Sequence, residues 1–186
     1  MTSSDALLAR LERDAALASA LARHSDFDIE RRDPVEEVVL PGGTPLQVIA
    51  GCGAGGTYFL CGDGGADGGA RPVLYADSEG QATLIGADLL EALTVLVVLP
   101  FWQDLAPDRT LAEAGAEPRA DEPSLDAERD RLIEVLGLPP LSETEAADLL
   151  AVAAARTVPG HLPRVPRPGY EPYEPLLDGT ALFRRG

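Results

Sequence analysis

The glycine-rich run GCGAGG, at residues 51–56, is the part of this chain that most resembles a cofactor site. It fits the dinucleotide pattern G-x-G-x-x-G, and Asp77 follows at about the distance of a ribose-binding acid. That chemistry requires a helix directly after the glycines, because the helix N-terminus holds the pyrophosphate. Here TYFLC at residues 57–61 follows and leads into further glycines, which favours a strand and a turn. We therefore predict a glycine-hinged hairpin, with a small nucleotide-binding enzyme as the less favoured alternative.

Carboxylates stand at the predicted turns that follow this run. Asp63 and Asp67 belong to the run DGGADGG, which lacks the spacing and the closing glutamate of an EF-hand calcium loop. We expect a hairpin tip that displays both carboxylates to a partner. Asp77 and Glu79 would share one face of a strand, where paired carboxylates can do acid–base work. Their place beside a Ser-Glu-Gly turn favours solvated side chains instead.

Groups that commonly carry catalysis are scarce. His24 and His161 are the only histidines, one at a predicted helix end and one in a proline-rich tail. Cys52 and Cys61 are the only cysteines, and no further residues stand at the spacing of a metal site. The sequence contains no nucleophile elbow, zinc-protease motif or Walker-type phosphate loop. We predict a protein that is not an enzyme, has reduced thiols, and uses no cofactor and no metal.

Trp102 is the best candidate for an exposed aromatic anchor. It follows Pro100, which ends a predicted helix, and Asp104 stands beside it. Tryptophan is enriched at interface hot spots, so we predict that Trp102 supplies apolar contact area to a partner while Asp104 adds charge. The alternative is a place in the core, which is the more common fate of large aromatic residues such as Tyr58 and Tyr75.

Hydrophobic periodicity and turn signals predict the elements that position these residues. A helix with leucine and alanine at helical spacing is predicted from Ser3 or Ser4 to Arg23. Strands this close together, without intervening helices, form antiparallel hairpins. The predicted strands are short apolar runs bounded by glycine and proline: Val35–Leu40, Leu46–Ala50, Thr57–Cys61, Pro72–Ala76 and Ala82–Ile85.

Helical patterns follow the strands at residues 87–99, 110–114, 124–136 and 142–156, with a capping-box pattern of Ser142 and Glu145. The tail is rich in proline, so we expect an extended segment that either lies over the body or frays. The predicted fold class is α+β, with a curved antiparallel sheet of about five to six strands flanked by helices. Three parts are predicted: a core at 1–105, an acidic helical extension packed on it at 106–157, and an extended tail at 158–186.

The charge of the chain limits its partners. The formal net charge is −16, and all 15 basic residues are arginine. This argues against direct binding of nucleic acid or of an anionic membrane, and it suits a cationic protein partner. The alternative is that acidity only maintains solubility. No signal peptide is recognised at the N-terminus and no apolar run is long enough to span a bilayer, so we predict a cytoplasmic protein.

Residues 45–105 resemble the SUKH superfamily, which includes bacterial toxin-immunity proteins and fungal cell-wall regulators. The run GGTYFL at 55–60 is similar to that family's glycine followed by an aromatic strand. The run RPVLYADSEG at 71–80 is similar to its strand and turn, and IGADLLEAL at 85–93 to the start of its next helix. The resemblance implies an α+β fold and a partner-binding role without catalytic residues.

The function that the resemblance implies is neutralisation of a toxin domain by stoichiometric binding. Many such toxins act on nucleic acids and are basic, so the resemblance implies a basic, nuclease-like domain as the partner of this acidic chain. A regulatory scaffold on the same fold is the alternative. The predicted partner-binding residues are the carboxylates at the turns together with the tryptophan: Asp63, Asp67, Asp77, Glu79, Trp102 and Asp104.

Overall fold

A mixed sheet forms the middle of the molecule. The computed structural model describes residues 3–63, 70–177, 179 and 181–185, and these have the predicted α+β fold. Strands β1 to β4 form an antiparallel meander, and β5, which belongs to the tail, pairs parallel with β4. The strands lie in sequence order: Leu46–Gly51 (β1), Thr57–Cys61 (β2), Val73–Ala76 (β3), Gln81–Gly86 (β4) and Glu174–Pro175 (β5).

Helices flank this sheet. The helix predicted at 87–99 is confirmed, and it is buried almost all round, as expected of a helix that is apolar on every face. The capping box of Ser142 is also confirmed, because its hydroxyl accepts from Glu145 N–H at 3.3 Å. The helices are Ser4–Arg13 (α1), Ala15–Ser25 (α2), Leu89–Val98 (α3), Leu111–Ala114 (α4), Ala116–Asp121 (α5), Leu125–Leu136 (α6) and Glu143–Ala154 (α7).

The single N-terminal helix predicted up to Arg23 is wrong, because Asp14 divides it into α1 and α2. Asp14 has φ −117° and ψ 83°, which is not helical, and its carboxylate accepts from Leu17 N–H at 3.0 Å. Aspartate competes with the helical backbone in this way and is therefore favoured at N-caps. Helix α5 was not predicted from the sequence.

The strand predicted at Val35–Leu40 is also wrong. Only Val39 makes a β-bridge, exchanging two backbone hydrogen bonds of 2.9 and 3.0 Å with Arg164 of the tail. The segment lies between Pro34 and Pro41 and carries Glu36 and Glu37 in its middle, which interrupts the apolar alternation of a strand. It packs over the sheet instead of joining it.

The two faces of the sheet have different covers. Alternate strand residues such as Tyr58 and Ile85 belong to the larger core with α1, α2 and α3. Phe59 and Leu84 point to the other face, where the 38–40 segment and tail residues including Tyr173 cover them. The larger core also receives buried side chains from α6, α7 and the tail, so all three predicted parts of the chain contribute to it.

The tail packs on the rest of the protein, which is one of the two arrangements expected from the sequence. Glu174 and Leu176 of the tail donate their N–H groups to Gly80 O and Ala82 O at 2.8 and 2.9 Å, and Thr157, just before the tail, accepts from Leu84 N–H at 2.9 Å. At its far end, Arg184 forms an ion pair with Glu113 of α4 and Arg185 forms one with Asp148 of α7. The excess of arginine in the tail is thus used against the acidic helices.

Candidate functional site

The meander brings two turns to the same end of the sheet. The β1–β2 turn at 52–56 and the β3–β4 turn at 77–80 lie there, and the β2–β3 connection lies at the opposite end. Residues 30–38 and the 3-10 turn Trp102–Asp104 contact these turns. We call the surface formed by residues 30–38, 52–56, 77–80 and 102–104 the turn face.

The topology separates the predicted site residues into two groups. Asp77, Glu79 and Asp104 lie on the turn face. Asp63 is exposed at the opposite end of the sheet, just after β2, and Asp67 lies outside the described residues. Asp63 therefore lies apart from Asp77, Glu79 and Asp104.

The glycine-rich run forms the hairpin turn of the turn face, as predicted. Strand β2 begins at Thr57, directly after Gly56, where a dinucleotide site would need a helix. The Gly53 N–H donates to both carboxylate oxygens of Asp26, at 2.8 and 2.9 Å, so it faces a negative group. Asp26 holds this position with φ 51°, a left-handed conformation that aspartate tolerates better than most residues. The geometry does not fit a pyrophosphate cradle.

Gly56 allows the Tyr75 side chain of β3 to pack closely against the β1–β2 turn. A Cβ atom at this position would lie 2.2 Å from the Tyr75 hydroxyl oxygen, well inside contact distance. The Gly56 N–H instead donates to Cys52 Sγ at 3.2 Å, and that sulfur lies 3.6 Å from the same hydroxyl. Glycine at 56 is thus required by packing and not by a ligand.

A row of buried aromatic rings supports the turn face from inside. Phe27, Tyr58, Tyr75 and Trp102 follow one another with ring-centroid distances of 5.0, 5.0 and 5.1 Å. Tilted and edge-to-face pairs at such distances stabilise a core beyond their buried area. Burial is the main cause that raises the pKa of both Tyr58 and Tyr75, so both hydroxyls stay protonated.

The prediction that Trp102 is an exposed anchor is wrong. Its side chain is 1% exposed and packs edge-on against Tyr75. Pro100 does follow α3, but the 3-10 turn after it returns the indole to the core instead of releasing it to solvent. Trp102 positions the turn face, and the exposed residues beside it are Gln103 and Asp104.

The carboxylates of the turn face differ in their local bonds. Asp77 Oδ1 accepts from Glu79 N–H at 2.9 Å and from Gln81 N–H at 2.8 Å, so this side chain shapes its own turn. Glu36, which was not predicted, accepts from the Tyr173 hydroxyl. Within the described residues no arginine forms a salt bridge with any of the turn-face acids, which are Glu30, Asp33, Glu36, Glu37, Asp77, Glu79 and Asp104.

The acids at 30–37 are the functional candidates that the sequence interpretation missed. Their signal in the sequence is a dense run of charge around Pro34, and part of it falls in the strand predicted at Val35–Leu40. The two arginines of the run form ion pairs with acids outside this set, Arg31 with Asp28 at 3.4 Å and Arg32 with Glu12 at 2.8 Å.

A cleft of about 110 Å³ opens where three segments of the turn face meet. A Cβ atom on Gly55 would lie 3.7 Å from Ser78 Oγ and 3.8 Å from Val35 Cγ2, which shows how closely the segments converge. The cleft is lined by two carboxylates, a phenol, two hydroxyl residues, a glycine and several apolar side chains: Pro34, Val35, Glu36, Val38, Gly55, Thr57, Phe59, Ala76, Asp77, Ser78 and Tyr173.

Comparisons with protein-family models, with curated proteins and with solved structures found no match to this chain. In the part of the chain that the structure describes, no helix has the length and apolar character needed to cross a bilayer. The candidate site therefore stands on its own geometry.

Proposed function

We propose that this chain is a non-catalytic partner-binding protein that neutralises a basic, nuclease-like toxin domain by stoichiometric binding. The turn face is the surface that meets the partner. The proposal combines the SUKH resemblance of residues 45–105 with the charge of this surface, and it places the protein in the cytoplasm.

The observation that carries the proposal is the set of turn-face carboxylates without an ion-pair partner in the described residues. Glu30, Asp33, Glu79 and Asp104 also accept no side-chain hydrogen bond there, and all of them are exposed. Like charges gathered on one surface repel one another in the free protein and attract a cationic partner. Complementary charge of this kind accelerates association and rejects partners of the wrong sign.

The experiment is capture of the partner from the native cell, followed by a salt step. The immobilised chain should retain a basic protein at low salt, release it at high salt, and bind the purified protein in a fixed stoichiometric ratio while suppressing its toxicity. A basic partner without toxic activity would support the regulatory scaffold instead. A partner whose binding is indifferent to salt would contradict the role given to charge.

A matched pair of variants locates the surface. Glu30→Gln, Glu79→Gln and Asp104→Asn together remove three charges from the turn face, and Glu117→Gln, Asp121→Asn and Glu134→Gln remove three exposed charges elsewhere. The first set should weaken partner affinity by about tenfold or more and lower its salt dependence, and the second should change both much less. Equal effects of the two sets would mean that only net charge matters and would remove the turn face from the proposal.

A further inference from the structure

The cleft of the turn face has the size and walls of a site for one side chain. Its volume of about 110 Å³ lies below the range of small-molecule pockets, roughly 300–1,000 Å³. Val38, Phe59 and Ala76 supply apolar wall, and Val35 stands at the rim with 69% of its surface exposed. An apolar cleft of this kind accepts the methylene stem of a long side chain.

Two carboxylates face the same phenol across this cleft. The Tyr173 hydroxyl donates to Glu36, and its pKa is raised by burial, by that hydrogen bond and by the charges of Glu36 and Asp77. The phenol therefore stays protonated and fixes the orientation of Glu36. Asp77 is fixed in turn by the two backbone N–H groups that donate to its Oδ1. Both negative charges are held in place before any partner arrives, which lowers the ordering cost of binding.

We infer that this cleft binds the guanidinium group of one arginine side chain of the partner protein. The inference rests on the proposed function and names the group that the turn face recognises. The two carboxylates that line the cleft match a cation with several N–H donors, and the apolar wall accommodates a guanidinium more easily than a strongly hydrated ammonium. In the described part of the chain no arginine or histidine lines the cleft, so a cation that binds there would come from the partner.

The test uses short peptides as probes of the full chain. Amide chemical shifts are followed by NMR while acetyl-Gly-Gly-Arg-Gly-Gly-amide is added, and then with citrulline or lysine in place of arginine. We expect saturable shifts centred on Gly55, Ser78 and Tyr173, with binding at least about tenfold weaker for citrulline, which keeps the shape but lacks the charge. Lysine should bind more weakly than arginine. Equal responses to arginine and citrulline, or shifts spread over the whole surface, would overturn the inference.

The variant Glu36→Gln with Asp77→Asn removes both charges and keeps an acceptor for Tyr173 and for the turn. It should abolish the localised shifts, and Glu117→Gln with Asp121→Asn, which changes net charge equally on α5, should leave them in place. Unchanged thermal unfolding and an unchanged amide spectrum outside the turn face would show that both variants fold. Equal loss in the two variants would reduce the effect to net charge and reject the cleft.

The same variant separates this inference from the proposed function. If the captured partner binds Glu36→Gln/Asp77→Asn as tightly as the parent chain, the cleft is not the recognition site while partner binding stands. If the arginine peptide binds the cleft but no basic partner is captured from the native cell, the cleft inference stands and the toxin-neutralising function fails.

Discussion

The carboxylates of helices α4–α7 and those of the turn face carry the same charge but have different neighbours. On the helices, Arg119 reaches Asp126 and Glu143, and Arg129 reaches Asp126 and Asp130. Arg131, Arg184 and Arg185 pair with Glu128, Glu113 and Asp148. The turn-face acids have no such pairs in the described residues, because Arg31 and Arg32 of the same surface pair with Asp28 and Glu12.

This difference shows that a net charge of −16 has two uses in one molecule. The helical acids hold α5, α6, α7 and the tail together through arginine, and much of their field is cancelled locally. The field of the turn-face acids extends into solvent, where it can act on a partner within about one Debye length, near 8 Å at physiological salt. Counting acids along the chain would point to the helices, since residues 104–148 hold 13 of them.

The backbone of the two regions should also respond differently to a single methyl group. Gly56→Ala on the turn face puts Cβ 2.2 Å from the Tyr75 hydroxyl oxygen and should lower the free energy of unfolding by about 3 kcal/mol. Gly137→Ala, at the C-terminus of α6, meets open space and only has to adopt φ +68°, which should cost about 1 kcal/mol. Urea unfolding of both variants measures the two values. Equal costs would contradict the close packing assigned to the turn face.

Removing one charge from each region tests the pairing itself. Glu143→Gln leaves Arg119 and Arg129 without a shared, half-buried carboxylate and should destabilise the chain by roughly 1 kcal/mol. Glu79→Gln removes an unpaired charge and should stay within about 0.5 kcal/mol of the parent, with any change toward greater stability. Thermal or urea unfolding at low salt gives both numbers. A larger loss from Glu79→Gln than from Glu143→Gln would reverse the comparison.

A weaker contrast concerns pH, because His24 of α2 is buried near Glu128 of α6, whereas the turn face contains no histidine. Burial lowers the pKa of His24 below its usual 6.5, against the raising effects of its hydrogen bond to Val97 O and of Glu128 and Asp126, while Arg129 lowers it further. As the pH falls through 6.5, His24 therefore becomes protonated in the unfolded chain while it stays neutral in the folded chain. The contribution of neutral His24 to the free energy of unfolding is full above pH 6.5 and is lost as the pH falls toward the pKa of His24 in the folded chain.

The measurement is the free energy of unfolding between about pH 7.5 and 5.5, a range in which histidine is the main titrating side chain. Hydrogen bonds lower the pKa of four glutamates, so these groups change the free energy of unfolding only below about pH 4.5: Glu113, Glu122, Glu128 and Glu145. His24→Gln keeps an N–H donor for Val97 O and should flatten the slope. A slope that survives in His24→Gln would assign it to another group.

Local sequence patterns were sufficient for most of the regular elements. Strand β2 begins and ends at the predicted residues, and α3 and α7 have the predicted caps or stops, because alternation, helical spacing and capping residues act over a few positions. Local patterns also argued against a dinucleotide site at residues 51–56, because the run TYFLC after the glycines predicts a strand where that site needs a helix. Local patterns failed at Asp14, where the continuous apolar stripe predicts one helix and the aspartate is an equally local signal for a new N-cap.

The sequence by itself determined that the chain is acidic, that it has an α+β fold, and that the glycines at 51–56 form a hairpin turn. The tertiary structure alone decided which acids lie together and that Trp102 is buried. The contacts that build the turn face join residues far apart, since Asp26 and Gly53 are separated by 27 positions and Glu36 and Tyr173 by 137. No short-range pattern encodes such pairs, because they form only when the meander, the 30–38 segment and the tail pack on one another.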